Sequence, residues 1–309
     1  MIALLAPGQG SQAPGMLTPW LDLAGAADRV AAWSKATDLD LLRLGTTADA
    51  EEIKDTAITQ PLVVALALLA FEELRNRVEL PGDVLVGGHS VGELAAAAVA
   101  GVLSTDDAVA LAAVRGAEMA KACALEPTGM AAVLGGEVDE VLAALAALGL
   151  DPANRNGAGQ IVAAGPRAAI DELVASPPGR AKVRVLKVAG AFHTRFMAPA
   201  GEALRVRAAG ITVSDPVLPL LSNADGAVVG DGAEVLRRLV DQVTRPVRWD
   251  SCQATIAERG ATAVVELPPA GTLVNLAKRE LTGTTGVALK TPQDLDRVVE
   301  LITSAEVGA

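Results

Sequence analysis

Gly88-His89-Ser90-Val91-Gly92 decides how this chain folds around its chemistry. A Gly-x-Ser-x-Gly turn between a strand and a helix lifts a serine hydroxyl to the tip of a strained elbow. The flanks supply both elements. Val84-Leu85-Val86 is a short apolar run before paired glycines, and Leu94 to Val102 is an alanine-rich helical stretch. Gly88 and Gly92 let strand and helix cross closely around a residue with unfavourable dihedrals. The same letters also spell Ser-x-x-Glu from Ser90 to Glu93, a capping box in which the serine only satisfies an amide at a helix start. Glycines on both sides favour the elbow, because a cap needs neither.

A serine hydroxyl is a poor nucleophile until a base takes its proton. The chain has only two histidines, His89 and His193. Neighbouring side chains in an elbow point in different directions, so His89 is badly placed to reach the Ser90 oxygen. His193, in Gly190-Ala191-Phe192-His193-Thr194-Arg195, is the base by elimination; its bland alternative is a satisfied core histidine.

Composition bounds the rest. The 309 residues are 51% hydrophobic and 20% charged, the mark of a globular protein rather than a disordered one. Pro61 to Phe71 is the longest apolar run and too short to span a bilayer. No basic leader or cleavage site precedes it, so Met1 is read as the mature start. Cys123 and Cys252 are far apart and indicate neither a disulfide framework nor a metal cluster. These features point to a cytoplasmic enzyme. A net charge of −11 argues against nucleic acid as a partner. One basic stretch runs against it: Arg180, Lys182, Arg184, Lys187 and Arg195 fall in a segment without acidic residues. It suits an acidic partner or a phosphorylated ligand, or is the wet face of an alternating strand.

Apolar runs alternate with helical segments, which predicts an α/β fold with a parallel sheet covered on both faces. Ile2 to Leu5 reads as a buried strand. Ala50 to Lys54, Pro61 to Leu80 and Thr105 to Ala124 read as helices. The middle differs: strand 129–134, helix 137–148, strand 153–156, a turn at Gly157-Ala158-Gly159, strand 160–164, helix 166–175 and strand 182–188. That β-α-β-β-α-β order is the ferredoxin-like arrangement. Residues 126–189 therefore read as a small domain inserted into a larger one made of 1–125 and 190–309, with a ligand cleft between them.

Pro7-Gly8-Gln9-Gly10-Ser11-Gln12 follows the first strand. Gly8-x-Gly10-x-x-Ala13 matches a loose dinucleotide fingerprint, but Pro7 interrupts the transition and no second strand ends in a well-placed acid. The preferred reading is that amides of this loop form half of an oxyanion hole, the residue after the nucleophile giving the other half.

Taken in order, Pro7 to Gln12, Gly88 to Glu93, Val114-Arg115-Gly116, Asn154 to Gly165, Ala191-Phe192-His193, Ser222-Asn223 and Gln242 to Trp249 resemble the signatures of malonyl-CoA:acyl-carrier-protein transacylases over nearly the full chain. The resemblance implies an α/β-hydrolase-like core with a ferredoxin-like insertion. It implies Ser90 as nucleophile and His193 as base, with the backbone amides of Gln9 and Val91 holding the oxyanion. Arg115 would pair with the free malonyl carboxylate through its planar fork. The Gln242 backbone carbonyl would orient His193 without a triad aspartate, although Asp106 and Asp107 lie in hydrolase order. Phe192 and Val91 match the malonyl-selective pattern, though one methyl is worth only about 1–3 kcal/mol of discrimination. Glu266 to Gly271 departs from the family's tighter turn and leaves the shape of that loop open.

The function so implied is transfer of malonyl from malonyl-CoA to a phosphopantetheinylated acyl carrier protein, for fatty-acid or polyketide synthesis. No bound cofactor or metal is implied, and the basic segment is a candidate docking face for the carrier. A serine hydrolase on the same scaffold is the nearest rival; a non-catalytic carrier-binding subunit is another.

Overall fold

The structure, a computed structural model, describes residues 1–307. β1 (Ile2–Ala6) is apolar and buried throughout, as a parallel strand covered on both faces requires. After it come α1 (Ala26–Thr37), α2 (Leu41–Thr46), α3 (Thr56–Arg77), β2 (Leu85–Gly88), α4 (Gly92–Val99) and α5 (Thr105–Cys123). The middle of the chain forms β3 (Thr128–Leu134), α6 (Val138–Ala147), β4 (Asp151–Gly157), β5 (Gln160–Pro166), α7 (Arg167–Ala175) and β6 (Lys182–Val185). Then follow α8 (Ala198–Ala208), β7 (Leu220–Leu221), β8 (Val228–Val229), α9 (Gly232–Asp241), α10 (Trp249–Glu258), β9 (Ala263–Glu266), α11 (Thr272–Glu280), β10 (Thr285–Ala288) and α12 (Leu295–Val307).

The protein is mixed α/β, with two sheets among the described residues. The larger runs β10-β9-β1-β2-β7-β8, parallel except for the β7–β8 pair. Alternate residues of β1 face opposite layers. Ile2 and Leu4 pack into the main core with α3, α4 and α5, whereas Ala3 and Leu5 meet Trp249, Cys252 and Leu273 of α10 and α11. The second sheet is antiparallel, in the order β4-β5-β3-β6, with its own core of Val133, Val141, Leu145, Ile161, Ile170 and Leu173 beneath α6 and α7. It is tied to the larger unit where the Arg155 amide donates to the Val247 carbonyl at 2.9 Å, and the Val247 amide to that of Ala153 at 2.9 Å.

The helix expected from Pro61 begins earlier. Asp55 caps α3 by accepting from the Ala57 amide at 2.8 Å, and Pro61 is carried inside the helix. The 22-residue α3 is consequently long and apolar enough to cross a membrane by length and composition, unlike the shorter run read from sequence. Most of its apolar window, 78%, is buried within the protein.

Parallel register aligns Ala6 with Gly88, so the loop after β1 and the elbow after β2 leave the sheet side by side. Asn223 after β7 and Glu266 at the end of β9 emerge at the same edge. Ligands of open α/β sheets bind outside the carboxyl ends of the strands.

Candidate active site

Ser90 sits at φ 55°, left-handed backbone that a serine adopts only when its surroundings hold it there. Close approach explains the glycines. A Cβ on Gly88 would overlap the Gly92 carbonyl carbon, and one on Gly92 would overlap the Ala6 carbonyl oxygen. The capping-box alternative is not what the chain does. The cap position of α4 is Val91, without a side-chain cap bond, and the Ser90 amide donates to Asn223 Oδ1 at 2.8 Å rather than to Glu93.

Ser90 Oγ lies 2.7 Å from His193 Nε2, and His193 Nδ1 lies 2.9 Å from the Gln242 carbonyl oxygen. A carbonyl only accepts, so Nδ1 carries the proton and Nε2 is left to accept from the serine hydroxyl. Burial, then the neighbouring Arg115 charge, pushes the imidazole down to about 3, so it is neutral at ordinary pH. His193, too, has positive φ, at 61°. Neither aspartate in hydrolase order reaches it. Asp106 pairs with Arg29 at 2.8 Å and Asp107 serves the Ser104 cap of α5.

His89 is occupied elsewhere. Its Nε2 is 2.9 Å from Asn156 Oδ1, and its ring meets Trp249 edge-on at 5.5 Å.

Arg115, on α5, is 1% exposed. Its guanidinium donates to Gln60 Oε1 at 2.6 Å, Gln242 Oε1 at 2.8 Å and Ser90 Oγ at 3.3 Å. Among the described residues these hydrogen-bond partners are all neutral. Burial lowers its pKa to about 10, which leaves it charged at neutral pH. A buried cation beside a nucleophile, held only by amides and a hydroxyl, is a seat for an anionic group.

Ser90, His193, Arg115, Gln9, Phe192 and His89 line one cavity of about 200 Å³ between the two sheets, with Asn154, Asn156 and Gln160 from the small sheet. Val91 is fully buried and Gln242 lies behind the wall. Among the described residues, neither the Gln9 nor the Val91 amide donates to a protein acceptor. The Gln9 side chain is fixed by Thr56 Oγ1 at 3.2 Å. A dinucleotide loop would run straight into a helix; here residues 7–17 form turns before a short 3-10 segment, Thr18–Trp20.

Sequence reading missed the braces. Asn223 accepts from the Ser90 amide and donates to the Gly88 carbonyl at 2.8 Å, while its own amide donates to Glu93 Oε1. Gln242 Nε2 donates to the Ser90 carbonyl at 3.0 Å and to Glu93 Oε2. Burial pushes the Glu93 carboxyl up to about 8. Gln60 holds Arg115, and Glu266 accepts from the Gly271, Leu273 and Val274 amides, which sets the start of α11 against the cavity. That settles the loop shape left open by its departure from the tighter turn.

The basic residues lie elsewhere. Arg180, Lys182, Arg184, Lys187 and Arg195 are all exposed, Lys182 and Arg184 on the edge strand β6. Among the described residues, Arg195 alone of the five approaches a carboxylate, Asp151 at 4.0 Å.

The chain is similar to known proteins over nearly its whole length. Residues 4–294 match the acyl transferase domain family. A malonyl CoA-acyl carrier protein transacylase of Mycobacterium tuberculosis is 63% identical over 97% of this chain and 100% of its own length. The crystal structure of MCAT from Mycobacterium tuberculosis superposes with a TM-score of 0.94 at 62% identity, covering 96% of this chain and 99% of that one. A type II PKS acyl-carrier protein in complex with its malonyl-transacylase matches with a TM-score of 0.89 at 28% identity, covering 97% of this chain and 99% of the other.

Proposed function

The chain belongs to the malonyl CoA-acyl carrier protein transacylase family of acyl transferase domains, and on that premise we propose that Ser90, His193 and Arg115 carry its reaction. The protein is an acyltransferase that moves malonyl from malonyl-CoA to an acyl carrier protein. The malonyl-CoA thioester and the carrier's phosphopantetheine thiol are the substrates, and no resident cofactor enters the chemistry.

His193 Nε2 takes the Ser90 proton as Oγ attacks the thioester carbonyl. The negative charge passes to the carbonyl oxygen, which the free amides of Gln9 and Val91 receive. Collapse breaks the carbon–sulfur bond, and His193 returns its proton to the departing coenzyme A thiolate. In the second half the carrier's phosphopantetheine thiol gives its proton to His193 and attacks the Ser90 ester. The serine then leaves and regains the proton. The Gln242 carbonyl keeps the imidazole in the one tautomer that serves both halves.

One observation carries the choice of acyl group: the buried Arg115 guanidinium, 3.3 Å from Ser90 Oγ and, among the described residues, without an anionic hydrogen-bond partner. A malonyl thioester bears its free carboxylate two bonds from the carbonyl that Ser90 attacks, so the cation stands where that charge arrives. Phe192 narrows the same cavity and is proposed to disfavour an α-methyl branch. The core is proposed as α/β-hydrolase-like, built from 1–125 and 190–309, with 126–189 as the ferredoxin-like insertion; positions 308–309 lie outside the described residues. Two free thiols, Cys123 and Cys252, suit a reducing, cytoplasmic setting.

The test is product analysis with malonyl-CoA and holo carrier protein. Malonyl-carrier is expected as the product; free malonate as the main product would make the protein a hydrolase. Arg180, Lys182, Arg184, Lys187 and Arg195 are proposed to receive the acidic carrier. Charge reversal at Lys182 and Arg184 is expected to raise the KM for carrier protein alone, and an unchanged KM would remove this face from consideration.

A further inference from the structure

Behind the elbow lies a second cavity, about 390 Å³, that shares no lining residue with the one holding Ser90. Arg237 and Arg245 stand exposed at its rim, and its floor is formed by Glu93 and Gln242. Gln242 thereby stands between two ionisable groups. On one side its Oε1 accepts from Arg115 at 2.8 Å, and on the other its Nε2 donates to Glu93 Oε2.

The two groups need each other. Arg115 is a buried cation with neutral hydrogen-bond partners, and Glu93, 5% exposed, is the carboxyl group whose charge reaches it. We propose that Glu93, in its ionised form, is the counter-charge of Arg115, that the carboxylate of the incoming acyl group displaces it from that role, and that Glu93 then takes up a proton through the rear cavity. The inference rests on the reading of Arg115 as the carboxylate clamp.

Like charges sharing one cation in a desolvated site do not both stay ionised. Once the acyl carboxylate pairs with Arg115, the compensation that Glu93 received is spent, and its carboxyl stays protonated to higher pH than in the free protein. Substrate fills the front cavity at that moment; the rear one remains as the proton's path. Besides Arg115 on α5, the groups acting on Glu93 are Arg238 on α9 and the Cys252 thiol on α10, which burial keeps protonated. Asp225, Asp241 and Arg248 stand further out around the rear cavity. Burial holds the Glu93 carboxyl near 8, within reach of a shift on binding. Glu93 touches no reacting atom, so its role is positional and electrostatic.

The test is calorimetry on the full-length Ser90→Ala protein, which binds malonyl-CoA without turning it over, in paired buffers of different ionisation enthalpy. Acetyl-CoA, with the same phosphates and no free carboxylate, is the blank. Relative to that blank, malonyl-CoA is expected to take up roughly half a proton or more per site at pH 8.5 and much less at pH 6.5. Adding Glu93→Gln is expected to abolish the uptake while malonyl-CoA still binds more tightly than acetyl-CoA. No uptake at either pH, or equal uptake in the double variant, would overturn the role of Glu93. The single-variant comparison stands without the double variant. Equal affinity for the two thioesters is a separate outcome: the clamp reading falls, and the inference with it.

Discussion

Replacing Arg115 with methionine keeps an unbranched side chain of similar reach and deletes the charge. In the structure the guanidinium is desolvated and makes three hydrogen bonds within one cavity wall. Removing one partner of a buried ion pair costs about 3–5 kcal/mol, because the other charge is stranded. Here the stranded charge is the substrate's carboxylate, so the loss falls on malonyl-CoA: a drop in kcat/KM of about a hundred- to several-thousand-fold. Acetyl-CoA brings no carboxylate and is expected to lose far less, so the malonyl-to-acetyl preference collapses. A second consequence comes from His193, whose pKa Arg115 helps to depress. The base works only when neutral, so activity is lost as pH falls through its pKa; without the Arg115 charge that pKa rises and the acid limb moves to higher pH. Steady-state kinetics with both thioesters across pH 3–9, with melting curves to confirm folding, make the measurement. An Arg115→Met enzyme that still prefers malonyl, or whose acid limb stays in place, would refute the reasoning.

Asn223→Ala is expected to destabilise the protein by about 2–6 kcal/mol, since it strips partners from the part-buried Ser90 amide and the buried Gly88 carbonyl at about 1–3 kcal/mol each. Urea unfolding reads this, and a change within 0.5 kcal/mol would show that the elbow stands without its brace. Glu93, whose folded-state pKa lies above its unfolded value, adds stability that is full below the unfolded pKa and lost as pH rises through about 8. The two histidines titrate alike in both proteins and cancel in the comparison, so between pH 6.5 and 8 Glu93→Gln is expected to remove a fall in stability of up to about 1.4 kcal/mol per pH unit. Parallel slopes for the two proteins would contradict the raised pKa.

The elbow was legible in sequence because its glycines answer a local demand, the crossing of β2 and α4 around one strained residue. His193 was legible by scarcity, since a chain with two histidines offers few bases. The β-α-β-β-α-β order of 128–185 was legible because each element is long enough to show its period. Arg115 was not: on an alanine-rich helix one arginine looks like solvent-facing charge, and only the family pattern singled it out. Gln60, Asn223 and Glu93 were less legible still. Their roles come from contacts 55, 133 and 130 residues apart in sequence, which no local spacing encodes. β7 and β8, two residues each, are too short to carry a period, yet the turn between them seats Asn223 under the elbow.

The central claim is that Ser90 carries the acyl group between the two thiols. Intact-protein mass spectrometry after brief exposure to malonyl-CoA, without carrier protein, tests it directly. One malonyl adduct is expected on the wild-type chain, mapping to the Ser90 peptide, absent from Ser90→Ala and discharged by holo carrier protein. An adduct that survives Ser90→Ala, or transfer to the carrier at full rate in that variant, would contradict the account.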